Sequence, residues 1–307
     1  MLSPIDEIIS ELKGSDRPLS NAKLSELSSI NSEELRLFKE VWPTIELKRR
    51  QQIVSRLVEL AEENFELDFD NVFKNCLDDP DAEVRSRAIE GLWENEEPSL
   101  INTLLNLLEH DSSEMVQAAA ASGLGRFIIL AEHQKLHSNY SSKIYQKLLV
   151  IIGDKNQTLE VKRRALEAIA PRCSPRVERA ISEAYHHGHP KLRASSIYAM
   201  GKNCSPVWLP ILLKELSNAD AEIRYEAAKA CGEIGEEEAV PYLINLVEDP
   251  DIEVQLAAIQ ALGKIGGTEA KNCLEQYLED DSEVIQQAAE QALRELDIGE
   301  EPLSLSF

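Results

Sequence analysis

The chain has 307 residues, more than one ordinary core accommodates, and sets 55 acidic against 32 basic side chains for a formal net charge of -23. With 43% hydrophobic but only 5% aromatic residues, it has the composition of an ordered protein built from close-packed helices. Five scattered cysteines (Cys76, Cys173, Cys204, Cys231, Cys273), never in a C-x-x-C pair, exclude a disulfide framework or zinc knuckle and point to a reducing compartment.

The opening stretch, MLSPIDEIISEL, places Asp6 and Glu7 where a secretory signal would be basic, and the longest apolar runs, FIIL and LLVII, fall far short of a membrane span. The expectation is a cytoplasmic protein with no membrane segment. Residues 1–32, with the polar GSDRPLSN, read as an N-terminal cap and linker. A weak helical copy, ELKRRQQIVSRL (46–57), then leads into a clear series. Its members are AEVRSRAIEGL (82–92), SEMVQAAAASGLG (113–125), LEVKRRALEAI (159–169), PKLRASSIYAMG (190–201), AEIRYEAAKACGEIG (221–235), IEVQLAAIQALGKIG (252–266) and SEVIQQAAEQAL (282–293). The aligned anchors Val84, Val116, Val161, Leu192, Ile223, Val254 and Ile285 are 32, 45, 31, 31, 31 and 31 residues apart. That period fits two short antiparallel helices and two tight turns. The long step predicts an insertion near 129–142, and the tail, 297–307, lacks repeat character.

Within each unit, apolar or small residues recur four, five, seven and eight positions after the anchor, one wide face of a helix at 100° per residue. Asp81, Ser113, Thr158, Asp220, Asp251 and Ser282 stand three before it, where an oxygen can accept from free N–H groups at a helix start. The partner helices are visible as SLINTLLNLLEH (99–110), PVWLPILLKELS (206–217) and AVPYLINLVED (239–249), with proline in the first turn of the last two. The pattern D-x-x-[VI]-R-x-x-A-x-x-A-L-G-x-I-G resembles HEAT repeats, most closely the short kind found in phycobilin lyases and deoxyhypusine hydroxylase. The resemblance covers about residues 33–296. It implies an all-α fold, an α-solenoid of about eight helix pairs whose second helices line a concave face.

The resemblance does not bring those enzymes' chemistry with it. Where deoxyhypusine hydroxylase holds iron with His-Glu pairs, Tyr225 stands before Glu226, and the chain has no His-Glu dipeptide. His186, His187 and His189 lie in a turn, HHGHP, with no carboxylate or cysteine beside them, and read as a polar turn. Cys173 and Cys204 recur in CSP segments 31 residues apart, in place of the usual closing glycine. Stacked helices lie about 8–10 Å apart, beyond the Cα separation a disulfide bridges, so they read as structural, with a thiol attachment or redox site as the other reading. Trp42, Trp93 and Trp208 read as packing residues. The sequence offers no catalytic constellation, metal site or cofactor site.

What it offers is charge. Residues 161–214 hold ten basic and three acidic side chains, whereas residues 215–307 hold five and 23. Positions two, three, six and ten after each anchor face away from the buried side. In the concave geometry that the resemblance implies, they place Arg49, Arg50, Arg87, Arg126, Arg163, Arg164, Tyr198, Lys202 and Tyr225, and beside them Lys229, on the inner face. The arginines and lysine one position after the anchor (Arg85, Lys162, Arg193, Arg224) instead border the buried side and can reach an acidic turn next door. The sequence thus predicts a non-catalytic scaffold that grips a protein or peptide partner, an acidic one, along a basic groove. The alternatives are nucleic-acid binding through the same groove, opposed by the acidic flanks, and an enzyme of the bilin lyase or isomerase type.

Overall fold

The computed structural model describes Leu12 and residues 20–300, the last three of these by backbone alone. The expected cap and tail therefore lie mostly outside the described residues. Every regular element among them is helical. The chain divides into two compact units, Met1–Ala168 and Ile169–Phe307, and each is an α-solenoid of stacked helix pairs.

The first unit runs α1 (Asn21–Ser25), α2 (Ser32–Val41), α3 (Leu47–Glu63), α4 (Asp70–Cys76), α5 (Ala82–Gly91), α6 (Pro98–His110), α7 (Glu114–Glu132), α8 (Ser138–Gly153) and α9 (Leu159–Ile169), whose last residue begins the second unit. Second helices α3, α5 and α7 stack in succession, and α6 packs against α7. The expected insertion is absorbed by long helices: α7 has 19 residues, α8 has 16, and only a short turn separates them. The second unit runs α10 (Pro175–Tyr185), α11 (Pro190–Asn203), α12 (Leu209–Glu215), α13 (Ala221–Ile234), α14 (Val240–Leu246), α15 (Ile252–Ile265), α16 (Thr268–Gln276) and α17 (Glu283–Glu300). Here α11, α13, α15 and α17 form the inner stack. Helix α17 continues past residue 296, where the repeats were expected to end.

All seven anchors are buried. The helices between them approach closely because small residues face each other. A Cβ added at Gly201 would lie 2.8 Å from the Cα of Ala230, and one at Gly232 would lie 2.8 Å from the Cα of Ala261. The helix starts follow the oxygen-bearing slot: Asp81 accepts from Val84 N–H, Asp220 from Glu222 N–H, and Asp251 from Glu253 and Val254 N–H. Ser113 and His189 occupy the slot without such a bond.

Adjacent repeats are clasped by the residue after the anchor. The Arg85 Nη1 donates to Asp79 O in its own turn (2.7 Å), while Nε and Nη2 grip both Asp111 oxygens of the next turn (2.8 Å each). Arg224 repeats this on Asn218 O (2.8 Å) and Asp249 (2.7 and 2.8 Å). Arg193 reaches the buried Glu215 at 2.6 Å. Where glutamine takes the slot, it keeps the inward half, Gln117 donating to Asp111 O (2.7 Å) and Gln255 to Asp249 O (2.6 Å), and makes no charged grip on the next turn, although Gln117 Oε1 accepts from Gln157 Nε2 there at 3.2 Å. The gripped aspartates also accept from the following cap residue, Asp111 from Ser113 N–H and Asp249 from Asp251 N–H.

This clasp corrects the register of the first copy. Arg50 donates from Nη1 to Ile45 O (3.0 Å) and pairs with Asp79 at 3.1 Å, the role of the residue after an anchor. Arg49 therefore occupies the anchor slot, which leaves Ile53, Val54 and Leu57 to fill the buried face four, five and eight positions on. Trp42, which donates to Asp79 (2.7 Å), and Trp208, which donates to Asn203 (3.0 Å), are core residues as expected. Trp93 is 48% exposed and is not.

Candidate partner-binding faces

In the first unit the structure separates the arginines grouped by sequence. Arg49 and Arg50 are only 4% and 9% exposed, and Arg49 Nε donates to Leu12 O at 3.4 Å. Both are withdrawn from any contact face, because their guanidiniums satisfy backbone and carboxylate groups inside the stack. Arg87 stays exposed on α5 and pairs with Glu90 at 2.7 Å. Arg126 on α7 reaches back one repeat to Glu96 at 2.8 Å. On α9, Arg163 pairs with Glu160 (2.7 Å), and Arg164 spans Glu160 and Glu167 (2.9 Å each). Burial pulls the Arg164 guanidinium down, but Glu167 and Glu160 outweigh it, and its pKa rises. This face is thus a chain of ion pairs rather than a bare basic stripe. Such surface pairs are worth about 0–1 kcal/mol each, so a partner carboxylate can replace the internal one at little cost.

In the second unit the same helix positions carry rings. Lys202 Nζ lies 5.8 Å from the Tyr198 ring centroid on α11, and Lys229 Nζ lies 4.9 Å from that of Tyr225 on α13 and 3.2 Å from its hydroxyl. Burial lowers the Lys229 pKa, yet the Tyr225 hydroxyl and nearby Glu226 raise it overall, so the ammonium stays charged. Glu233, ten positions after its anchor, sits between Lys202 (3.5 Å) and Lys264 (2.7 Å). Burial pushes its carboxyl up, and the two lysines bring it below the usual carboxylate range. Sequence reasoning passed over Glu233 and Glu96, although one repeat length separates each from its partner.

The His186–His189 turn is exposed, with His186 Nδ1 2.8 Å from Ser182 O and its ring edge-on to Tyr185. Among the described residues no three His, Cys, Asp or Glu side chains are grouped to hold a metal ion, and no helix is long and apolar enough to cross a membrane. Cys173 and Cys204 are exposed free thiols, whereas Cys76, Cys231 and Cys273 are buried.

The family model for HEAT repeats matches residues 71–136 and 209–294. Solved structures with the same architecture include the complex of CpcE and CpcF of phycocyanin lyase from Nostoc sp., 18% identical, TM-score 0.52, covering 97% of this chain and 95% of that one. Kap95 in its complex with Nup1 is 14% identical, TM-score 0.52, over 95% of this chain and 46% of that one. Kap95p bound to RanGDP is 14% identical, TM-score 0.51, over 95% and 45%. No curated protein matches the sequence. At these identities the likeness establishes the fold alone.

Proposed function

The chain is a HEAT-repeat protein, and from that premise we propose that it is a non-catalytic scaffold that binds a protein or peptide partner on the second-helix faces of its units. The reading is carried by the ring-and-cation face of the second unit, where Tyr198, Lys202, Tyr225 and Lys229 line neighbouring helices α11 and α13. Tyrosine offers large contact area at low entropic cost, and the lysines between the rings select carboxylates. An acidic segment fits this face, and the exchangeable ion pairs of Arg87, Arg126, Arg163 and Arg164 in the first unit, taken by themselves, suit the same chemistry. Neighbours of the same fold, Kap95 with Nup1 and with RanGDP, hold protein partners. The formal charge of -23 disfavours a long nucleic acid as ligand, and five scattered cysteines, never in a C-x-x-C pair, suit a cytoplasmic location.

The test is co-purification of partners on the immobilised chain, compared with two variants, Arg126→Glu with Arg164→Glu and Lys202→Glu with Lys229→Glu. Each charge reversal is expected to lower capture of an acidic partner at least tenfold while helicity is retained, and added salt should weaken capture by the wild type. Capture that is indifferent to both variants and to salt would remove the reading.

A further inference from the structure

We infer that Cys173 and Cys204 are a reversible dithiol pair, which a peroxide oxidises to an intramolecular disulfide that staples two neighbouring turns of the second unit. Four observations meet there. Both thiols are exposed, whereas the other three are buried. The Cys173 Sγ lies 3.7 Å from the backbone oxygen of Asn203, the residue bonded to Cys204. The two turns are fastened to each other, because the buried Asn203 side chain donates to Ala170 O (2.9 Å) and Arg172 O (3.4 Å) and accepts from Trp208 Nε1 (3.0 Å). Finally, Cys204 has φ +51 at the end of α11, in the slot that Gly235 (φ +79) and Gly266 (φ +74) fill one and two repeats later. A left-handed backbone is strained for a residue with a Cβ, so stability alone favours glycine there. The Cys204 Sγ donates to Gly201 O at 3.2 Å in its own turn, so the disulfide forms when it turns from that oxygen toward Cys173, which already reaches residue 203 across the stacked turns.

The surroundings give the two thiols different roles. Burial, then the charge of Glu233, raises the Cys204 pKa, and Cys173 contributes to the same shift, so the two groups sense each other. Cys173 lies between Arg172 and Arg176 in sequence, and its Sγ already reaches the turn that carries Cys204. Cys173 is thus the attacking thiol and Cys204 the resolving one. The Cys173 thiolate takes the terminal oxygen of hydrogen peroxide, breaking the O–O bond. With the proton lost from Cys173 it yields the sulfenic acid and one water. The Cys204 sulfur then displaces the hydroxyl from Cys173, forming the S–S bond, and its own proton leaves with that hydroxyl as a second water. Two sulfurs are oxidised by one electron each and the peroxide is reduced by two. A dithiol reductant reverses the step.

Two thiols of the native chain are expected to react rapidly with an aromatic disulfide reagent, and the other three only after denaturation, since burial pushes Cys231 up to about 12 and Cys76 well above its ordinary value. Stoichiometric hydrogen peroxide should then remove both fast thiols with a mass loss of two hydrogens, and a proteolytic digest should contain a peptide linking Cys173 to Cys204. In Cys204→Ser the sulfenic acid has no resolving thiol and should be trapped by dimedone, whereas Cys173→Ser should give no dimedone adduct. Oxidation that only adds oxygen, that links separate chains, or that still loses two hydrogens in either serine variant would overturn the inference.

Discussion

The two units carry polar side chains at the same repeat positions yet neutralise their cations in different ways. In the first unit, Arg87, Arg163 and Arg164 are paired by carboxylates on their own helices, three or four residues away. In the second, Lys202 and Lys229 rest on tyrosine rings, and the carboxylate near Lys202 belongs to the next repeat. The ring contacts, like the arginine pairs, lie within one helix, four residues apart, so it is pairs such as Lys202–Glu233, and Arg126–Glu96 in the first unit, that commit a side chain to the geometry of the stack. The turns differ too: an arginine grips a carboxylate of the next repeat, whereas Gln255 makes no such grip and Gln117 only accepts from Gln157 there. Breaking a grip therefore tests more than breaking a local pair.

The largest effect is expected from Arg224→Met. Asp249 is almost completely covered, and loss of its bidentate partner leaves a carboxylate buried with only the Asp251 N–H. The expected cost is about 3 kcal/mol in urea denaturation, against less than about 1 kcal/mol for Arg87→Met, which frees an exposed local pair. The pH dependence has a definite sign. The Arg224 guanidinium holds the Asp249 carboxyl below the usual carboxylate range, so its contribution is present above the unfolded value of about 3.9 and is lost as pH falls through the lower folded value. The gap in stability between wild type and Arg224→Met should accordingly narrow below about pH 4. A gap that is constant from neutral pH to pH 2 would show that the carboxylate is not what the arginine stabilises.

Next comes the close approach of helices. An added Cβ at Gly232 meets backbone at 2.8 Å, but one at Gly125 meets the Cα of Ala168 at 3.1 Å. Alanine gains about 1 kcal/mol of helix propensity over glycine in both places. Overpacking against backbone costs about 1–3 kcal/mol. Gly232→Ala should lose about 2 kcal/mol net and Gly125→Ala should be near neutral, as read by thermal melts of the two variants. Equal losses would mean that the second-helix stacks of the two units tolerate volume alike.

Much of this was readable before any coordinates. The 31-residue period, the anchors and the helix starts were legible because one small apolar pattern repeats and because capping chemistry is local. The clasp of Arg85, Arg193 and Arg224 on an acidic turn followed from their place at the edge of the buried face. The first copy slipped by two residues, since an arginine, Arg49, fills a slot that every later copy gives to an aliphatic side chain. Local pairing of Arg163 and Arg164 was open to inspection, as Glu160 and Glu167 stand three and four residues away. The partnerships of Arg126 with Glu96 and Lys264 with Glu233 left only a spacing of about one repeat as a signal, because they join adjacent repeats and depend on how the helices stack. The nearness of Cys173 to residue 203 likewise arises from the Asn203 side chain bridging two turns, which no spacing rule encodes.

On the proposed binding face, Lys229→Met should weaken capture of an acidic partner by about tenfold, since one charge-assisted contact is worth about 1.5 kcal/mol, without moving the thermal midpoint by more than a degree or two. Tyr225→Phe keeps the ring beneath the ammonium but removes the hydroxyl at 3.2 Å, and its effect on affinity should be the smaller of the two. If the phenylalanine variant were the weaker binder, the hydroxyl rather than the lysine charge would be the recognition group.

The smallest effect is a gain. Gln255 holds its own turn through Asp249 O but makes no grip on the next repeat, although Asp280 waits there in the arrangement seen at Asp249, accepting from Ser282 N–H at 2.8 Å. Gln255→Arg should restore the full clasp, as Arg224 does with Asn218 O and Asp249. Asp280 is less covered than Asp249, so the new pair is screened by water, and the gain should be no more than about 1 kcal/mol, or roughly 2–4 °C in the thermal midpoint. The gain should disappear in Gln255→Arg combined with Asp280→Asn, because the additional stability belongs to the pair and not to the longer side chain. A double variant as stable as the single one would mean that the arginine acts through packing of its stem, and that the clasp is worth less than its geometry suggests.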